Sequence, residues 1–152
     1  MNFVLETTMQ NRKLLYHYLK TIPLSTLNYI PEGFKNNIIW NIGHIVSTQQ
    51  GIIQGLAGRP MVVDANFISL YKKGTKPERD ATKDEVEDLK KLVFSTLEQT
   101  IKDYENGDLK DYKGLHIATT NSDITTIDDA ISFNLFHEGV HVGIIMALLK
   151  AA

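Results

Sequence analysis

No cysteine occurs anywhere in the 152-residue chain. This excludes disulfides, a thiolate metal site and a cysteine nucleophile belonging to the protein itself. There is no surplus of positive charge either: 16 basic residues face 18 acidic ones, a formal net charge of −2. Nucleic-acid binding usually needs a clustered basic patch, so that class of partner is not expected. No apolar stretch is read as long enough to span a membrane. The opening "MNFVLETTMQNRKLL" carries an early acid and no long apolar run, unlike a signal peptide. Internal repeats and low-complexity segments are also missing. What is present, 43% apolar and 22% charged residues, is the composition of an ordinary globular domain. The length suits one domain over residues 1–152 with one core. The default expectation is a cytoplasmic protein with neither a membrane nor a nucleic acid as partner.

Four long helical patterns stand out. The first is expected from about Asn2 to Thr21, with Val4, Thr8, Asn11, Leu15, Tyr18 and Ile22 as its seam and Pro23 as its stop. "LSTLNYIPEGF" is expected to form a short helical turn and loop. The second helix is expected from an N-cap at Asn36 to the stop signal Gly58-Arg59-Pro60. Its glycines, among them Gly43, Gly51 and Gly55, weaken helix propensity, and the usual compensation is close approach of a neighbour. A long connection over residues 60–81 carries mixed charge and reads as solvated surface. The third helix begins at a capping box, Thr82 with Glu85. Its stripe is Val86, Leu89, Val93, Leu97, Ile101 and Tyr104, and it ends at Asn106-Gly107. After a second long connection, 107–125, the fourth helix starts at Thr126 with Asp128 and Asp129 in its first turn. It is apolar nearly all round and is expected to be the most buried. The fold class expected is therefore all-α, a four-helix bundle with long connections between helices 2 and 3 and between helices 3 and 4.

The polar residues on the fourth helix carry the chemistry. Its seam reads Ile127, Ala130, Asn134, His137, His141, Ile144, Leu148, alternating by three and four, so these residues share one face. Buried imidazoles need partners. Two of them one turn apart can converge on one metal ion. His44, in the middle of the second helix, can meet them from a neighbouring helix roughly 8–10 Å away. Three histidines leave an open position on a divalent ion. The ion keeps its full charge and can lower the pKa of a bound water or thiol. All-nitrogen ligation favours Zn or Ni, with Fe, Co, Mn and Cu as further candidates. Because the ligands must be neutral, metal affinity is expected to fall below about pH 6. His17 reads as a surface residue and His116 as a loop residue.

"HEGVH" at 137–141 also matches the H-E-x-x-H pattern of zinc peptidases. That reading fails for want of a downstream third ligand: after His141 the chain continues only as "VGIIMALLKAA", with no His, Asp or Glu. Nor is a strand expected that would bind an extended peptide. Glu138 points about 100° away from His137 round the helix. It is kept as a catalytic-base candidate, the alternatives being a hydrogen bond to a histidine or to a neighbouring helix, or a place on a partly exposed flank. Trp40 and Asn134, on the ligand faces, are the candidate pocket-lining residues.

The ordered set "IIWNIGHI" and "FHEGVHVG" resembles the DinB/YfiT-like superfamily. Its members carry a histidine in the second helix, often after a tryptophan, and H-x-x-x-H on the last long helix. The likeness covers essentially the whole chain and implies a four-helix bundle with His44, His137 and His141 as metal ligands. Where many members place Gly-Gln after the last histidine, this chain has Gly143-Ile144. The resemblance further implies a homodimer. It also implies a metal-dependent transferase or hydrolase acting on a small-molecule substrate, with water or a low-molecular-weight thiol such as bacillithiol, mycothiol or glutathione at the open position. A protein without cysteine would need such a nucleophile from outside. The alternatives are a non-catalytic metal or small-ligand binding protein in a stress response, and a bundle whose histidines are satisfied without metal.

Overall fold

The structure, a computed structural model, describes residues 3–152, so Asn2 of the expected first helix lies outside the described residues. It is mostly helical: α1 (Phe3–Thr21), α2 (Leu24–Asn28), α3 (Ile38–Gln50), α4 (Ala65–Tyr71), α5 (Lys83–Glu105) and α6 (Ile127–Ala151). Six helices thus form among the described residues where four long ones were expected. The short α2 realises the expected helical turn, while α4 forms inside the connection read as solvated surface. The second connection folds partly into an antiparallel hairpin of β1 (Leu115–Ile117) and β2 (Ser122–Ile124), with His116 opposite Asp123. An all-α reading did not include it. α1 packs against α5 and α6, and α3 packs against the same two.

The helix boundaries follow from capping chemistry. Thr82 and Glu85 close a reciprocal capping box at the start of α5, and Thr126 and Asp129 do so for α6. α3 starts one residue later than Asn36 suggested: the cap is Asn37, whose side chain accepts the Trp40 N–H at 2.8 Å. The helix does not run on unchanged to Gly58. Over Gly51–Gly55 it widens to a π turn, which frees carbonyls for other partners. The Ile52 carbonyl accepts from the Tyr112 hydroxyl at 2.8 Å, and that of Leu56 accepts from the Lys113 N–H at 2.8 Å. The second long connection is thereby stapled to α3's continuation.

The core is two apolar clusters with a polar layer between them. One cluster holds Leu15, Ile42, Val46, Val93 and Val142; the other holds Leu5, Ile52, Leu97 and Ile131. Between them, on the same four helices, lie Arg12, Gln49, Thr96 and Glu138, each 0% exposed, with Asn134 at 2%. Each fully buried Leu, Ile or Val is worth about 1.5–3 kcal/mol of transfer free energy, whereas the polar layer must be satisfied internally to be tolerated at all. On α1 the buried stripe is Leu5, Thr8, Arg12, Leu15 and Leu19, sharing Thr8 and Leu15 with the expected seam. Val4 and Asn11 sit at its half-buried margin.

α6 is not the most buried helix. Twelve of the thirteen α3 residues are buried, whereas Phe136, Val140 and Met146 of α6 are exposed at 55%, 46% and 44%. By length and composition alone α6 is apolar enough to cross a membrane, contrary to the expectation that no stretch qualifies. One face of it, however, holds the buried Asn134 and Glu138 and packs on α1 and α3, as a core helix does.

Candidate metal centre

His44, from the middle of α3, meets His137 and His141, one turn apart on α6. Ring centroids are 5.1 Å apart for His44–His137, 4.8 Å for His44–His141 and 4.6 Å for His137–His141. One nitrogen from each lies within 4.8 Å of the other two. The three histidines are positioned to bind one divalent metal ion.

The outer nitrogens show how the rings are held. His44 Nδ1 lies 2.7 Å from the Tyr71 carbonyl and His141 Nδ1 lies 2.8 Å from Asn41 Oδ1. Both partners are oxygens that accept, so both Nδ1 atoms carry the proton and both Nε2 atoms offer a lone pair, that of His44 with the Thr48 hydroxyl 3.4 Å away. Asn41 is itself oriented, because its Nδ2 donates to the Asn37 carbonyl at 2.8 Å. These are the outer-shell contacts that typically orient metal-binding imidazoles. His137 Nδ1 is buried and has no hydrogen-bond partner, an orphaned polar atom that ligation would satisfy. The chemistry of the donor set, three neutral nitrogens, fits a divalent transition ion.

Burial keeps the rings neutral. Desolvation, reinforced by the neighbouring His141 and His44 and by Arg12, holds His137 down at about 3. Desolvation and His44 bring His141 to about 4. His44 is also lowered, by desolvation and by Lys73, against the opposing effect of its hydrogen bond to the Tyr71 carbonyl. All three are therefore uncharged near neutral pH, the state that ligation requires.

Trp40 lies beside His44. Its ring stacks on His44, with centroids 4.7 Å apart and planes 10° from parallel, and Nε1 donates to Thr75 Oγ1 at 3.0 Å. It also borders a cavity of about 490 Å³ shared with Tyr71, Thr75 and Arg79. Phe133 lies against the far side of His137, at 6.1 Å.

Two other expected site residues are committed elsewhere. Glu138 accepts from Arg12 Nη2 at 2.7 Å, from Arg12 Nε at 3.1 Å on both oxygens, and from Asn134 Nδ2 at 2.8 Å. The structure therefore gives Glu138 one of the alternative roles, a bond to a neighbouring helix. A carboxylate that is 0% exposed and held by an arginine is tied up as an acceptor, the opposite of a free base. Asn134 belongs to the same ion-pair layer. His116 is exposed on the hairpin and bonded to Asp123 at 2.7 Å, and His17 is exposed, as expected. Gly143 is open to solvent, with no atom near a would-be Cβ, and Ile144 packs against the core.

Three contributors escaped the sequence reading: Asn41, the Tyr71 carbonyl and Arg12. Asn41 had a signal, a polar residue inside the apolar run "NIIWNIGHI". Arg12 had one too, since Leu5, Thr8, Arg12, Leu15 and Leu19 alternate by three and four and a leucine stripe passes straight through it. The Tyr71 carbonyl had none, because any residue carries one.

No curated protein matches the chain in sequence. A sequence model of the DinB superfamily matches residues 7–145 and so includes all three histidines. With the histidine triad in place within that span, the chain belongs to the DinB superfamily.

Proposed function

We propose that the protein is a metal-dependent enzyme that transfers a low-molecular-weight thiol to a small electrophile. The observation that carries this reading is the convergence of His44, His137 and His141, with two of their outer nitrogens fixed by Tyr71 and Asn41. Packing of α1, α3, α5 and α6 on one another supports the four-helix-bundle reading that goes with it. A divalent ion held by the triad supplies a Lewis acid that lowers the pKa of a bound thiol or water. The chain's own residues do the rest. Two Nδ1–H bonds keep the inward nitrogens aimed, burial keeps the rings unprotonated, and Trp40 walls off one face of His44. In the reaction a carbon–sulfur bond forms, the bond from that carbon to its leaving group breaks, and the thiol proton departs with the leaving group. Glu138 is bound to Arg12, and with no cysteine in the chain a thiol nucleophile would come from outside.

Two measurements test this. Elemental analysis of purified protein should find about one metal ion per chain, lost in His44→Ala, His137→Ala or His141→Ala. A content near zero, indifferent to those changes, refutes the site. Metal-loaded and metal-stripped protein should then be screened with bacillithiol, mycothiol and glutathione against electrophiles. No turnover with any thiol refutes the transferase reading and leaves a metal-binding role. We further read the exposed apolar face of α6, with Phe136, Val140 and Met146, as a homodimer surface. Light scattering on the wild type and on Val140→Glu would decide it.

A further inference from the structure

We propose that residues 62–81 form a positioning strap that holds the His44 imidazole in one tautomer and one orientation. Its use to the protein rests on the metal-site reading above. Both ends of the strap are tied down by buried amide side chains. Gln50, 0% exposed, accepts the Val62 N–H at 2.6 Å. Asn28 accepts the Ala81 N–H at 2.8 Å and donates to the Ala81 carbonyl at 3.0 Å. Between these ties only Val63 is buried, in the main core, with Phe67 and Ile68 half-buried against it. No residue of α4 is buried. Cavities of about 450 Å³ and 490 Å³ border it, one shared with α5 and the other with α3.

Apart from the packing of Phe67 and Ile68 on the core and the Arg79–Glu85 ion pair, the contacts in the middle of the strap converge on His44 and its wall. The Tyr71 ring lies flat over Gly43, so closely that a Cβ at position 43 would overlap its Cδ1, Cε1 and Cγ. That seat brings the Tyr71 carbonyl to His44 Nδ1. Four residues on, Thr75 Oγ1 receives Trp40 Nε1–H, and the same oxygen lies 2.8 Å from each of the Leu70 and Lys72 carbonyls, to which its hydroxyl donates. Trp40 in turn stacks on His44. One strap thus sets both an edge and a face of a single imidazole. It explains a glycine in a helix interior, where glycine is intrinsically unfavourable: position 43 must be bare for Tyr71 to sit. A backbone carbonyl cannot be deleted by mutation, so the bond to His44 depends on the residues that place the carbonyl.

The test uses Gly43→Ala and, in case that variant does not fold, Tyr71→Ala. Gly51→Ala on the same helix is the control, since a Cβ there meets no atom. Nitrogen-15 spectra of the imidazoles in metal-free protein at pH 8 should show His44 as the pure Nδ1–H tautomer in the wild type and control. Either strap variant should show a mixture. Cobalt(II) titrations should show affinity falling about 10- to 100-fold, the usual loss when an outer-shell partner of a ligating histidine is removed. Wild-type tautomer signals in both variants overturn the strap. If the tautomer mixes but the wild type binds no cobalt, the strap stands and the metal reading falls.

Discussion

Replacing Glu138 by glutamine removes one charge while conserving shape, and it separates a structural carboxylate from a catalytic one. In the native protein Arg12 and Glu138 are both 0% exposed and bridge α1 to α6. Arg12 Nη1 also reaches the Val93 carbonyl at 3.2 Å and Thr96 Oγ1 at 3.4 Å on α5. Glutamine at 138 turns one of the two acceptor oxygens into a donor facing Arg12 or Asn134, and it leaves a buried guanidinium with no counter-charge. Breaking one side of a buried pair costs about 3–5 kcal/mol, a large part of the roughly 5–15 kcal/mol that holds a domain together. With a urea slope of about 2 kcal/mol/M, the midpoint should fall by about 1.5–2.5 M. The triple change Arg12→Met, Asn134→Leu, Glu138→Leu removes the pair and the amide that donates to it at once. It should return stability to within about 1 kcal/mol of wild type or above it, because apolar replacement of a whole buried ion pair is often neutral or stabilising. Urea unfolding followed by circular dichroism measures both. A Glu138→Gln loss under about 1 kcal/mol, together with abolished turnover, would refute the structural assignment and restore Glu138 as a catalytic base.

Acid should act on stability before it acts on the site. The folded-state values of His44, His137 and His141 lie below the ordinary histidine value of 6.5, so below pH 6.5 the unfolded chain takes up protons that the folded chain refuses. Stability is fully present above that pH and declines as pH falls towards about 4 and then 3, which thermal melts of metal-free protein from pH 8 to 4 will show. For the same reason the loss of metal affinity should begin lower than the pH of about 6 expected for unperturbed histidines. A cobalt titration at pH 6 matching that at pH 8 supports burial of neutral ligands, and a tenfold loss over that interval contradicts it. Asn41→Ala leaves His141 Nδ1 without its acceptor and should weaken metal binding about 10- to 100-fold, with Asn41→Asp retaining more affinity than alanine. Equal affinity in wild type and Asn41→Ala would show that His141 needs no such partner.

The elements and one part of the site were decided locally. α5 and α6 begin at Thr82 and Thr126 because a capping box is a matter of three adjacent peptide units, and His137 and His141 face one way because a helix places i and i+4 on one side. Those facts travel with the sequence whatever the rest of the chain does. The partners of these residues were decided only by tertiary packing. The same rotation of α6 that aims His137 and His141 at His44 turns Glu138 to Arg12, and no periodicity on α6 records what α1 holds at that height. The expected α1 seam shares Thr8 and Leu15 with the buried stripe but holds Asn11 where Arg12 is buried, because a charge is not expected in a core. That burial becomes intelligible only once Glu138 is seen opposite Arg12. The Tyr71 carbonyl belongs to the same class: its role arises from where a strap crosses a helix at a bare glycine, and a backbone oxygen leaves no trace in a sequence. Short-range chemistry thus set the helices and supplied two of three ligands on one face, while the relative rotation and height of α1, α3 and α6, fixed by the packing of the whole core, determined which side chains meet.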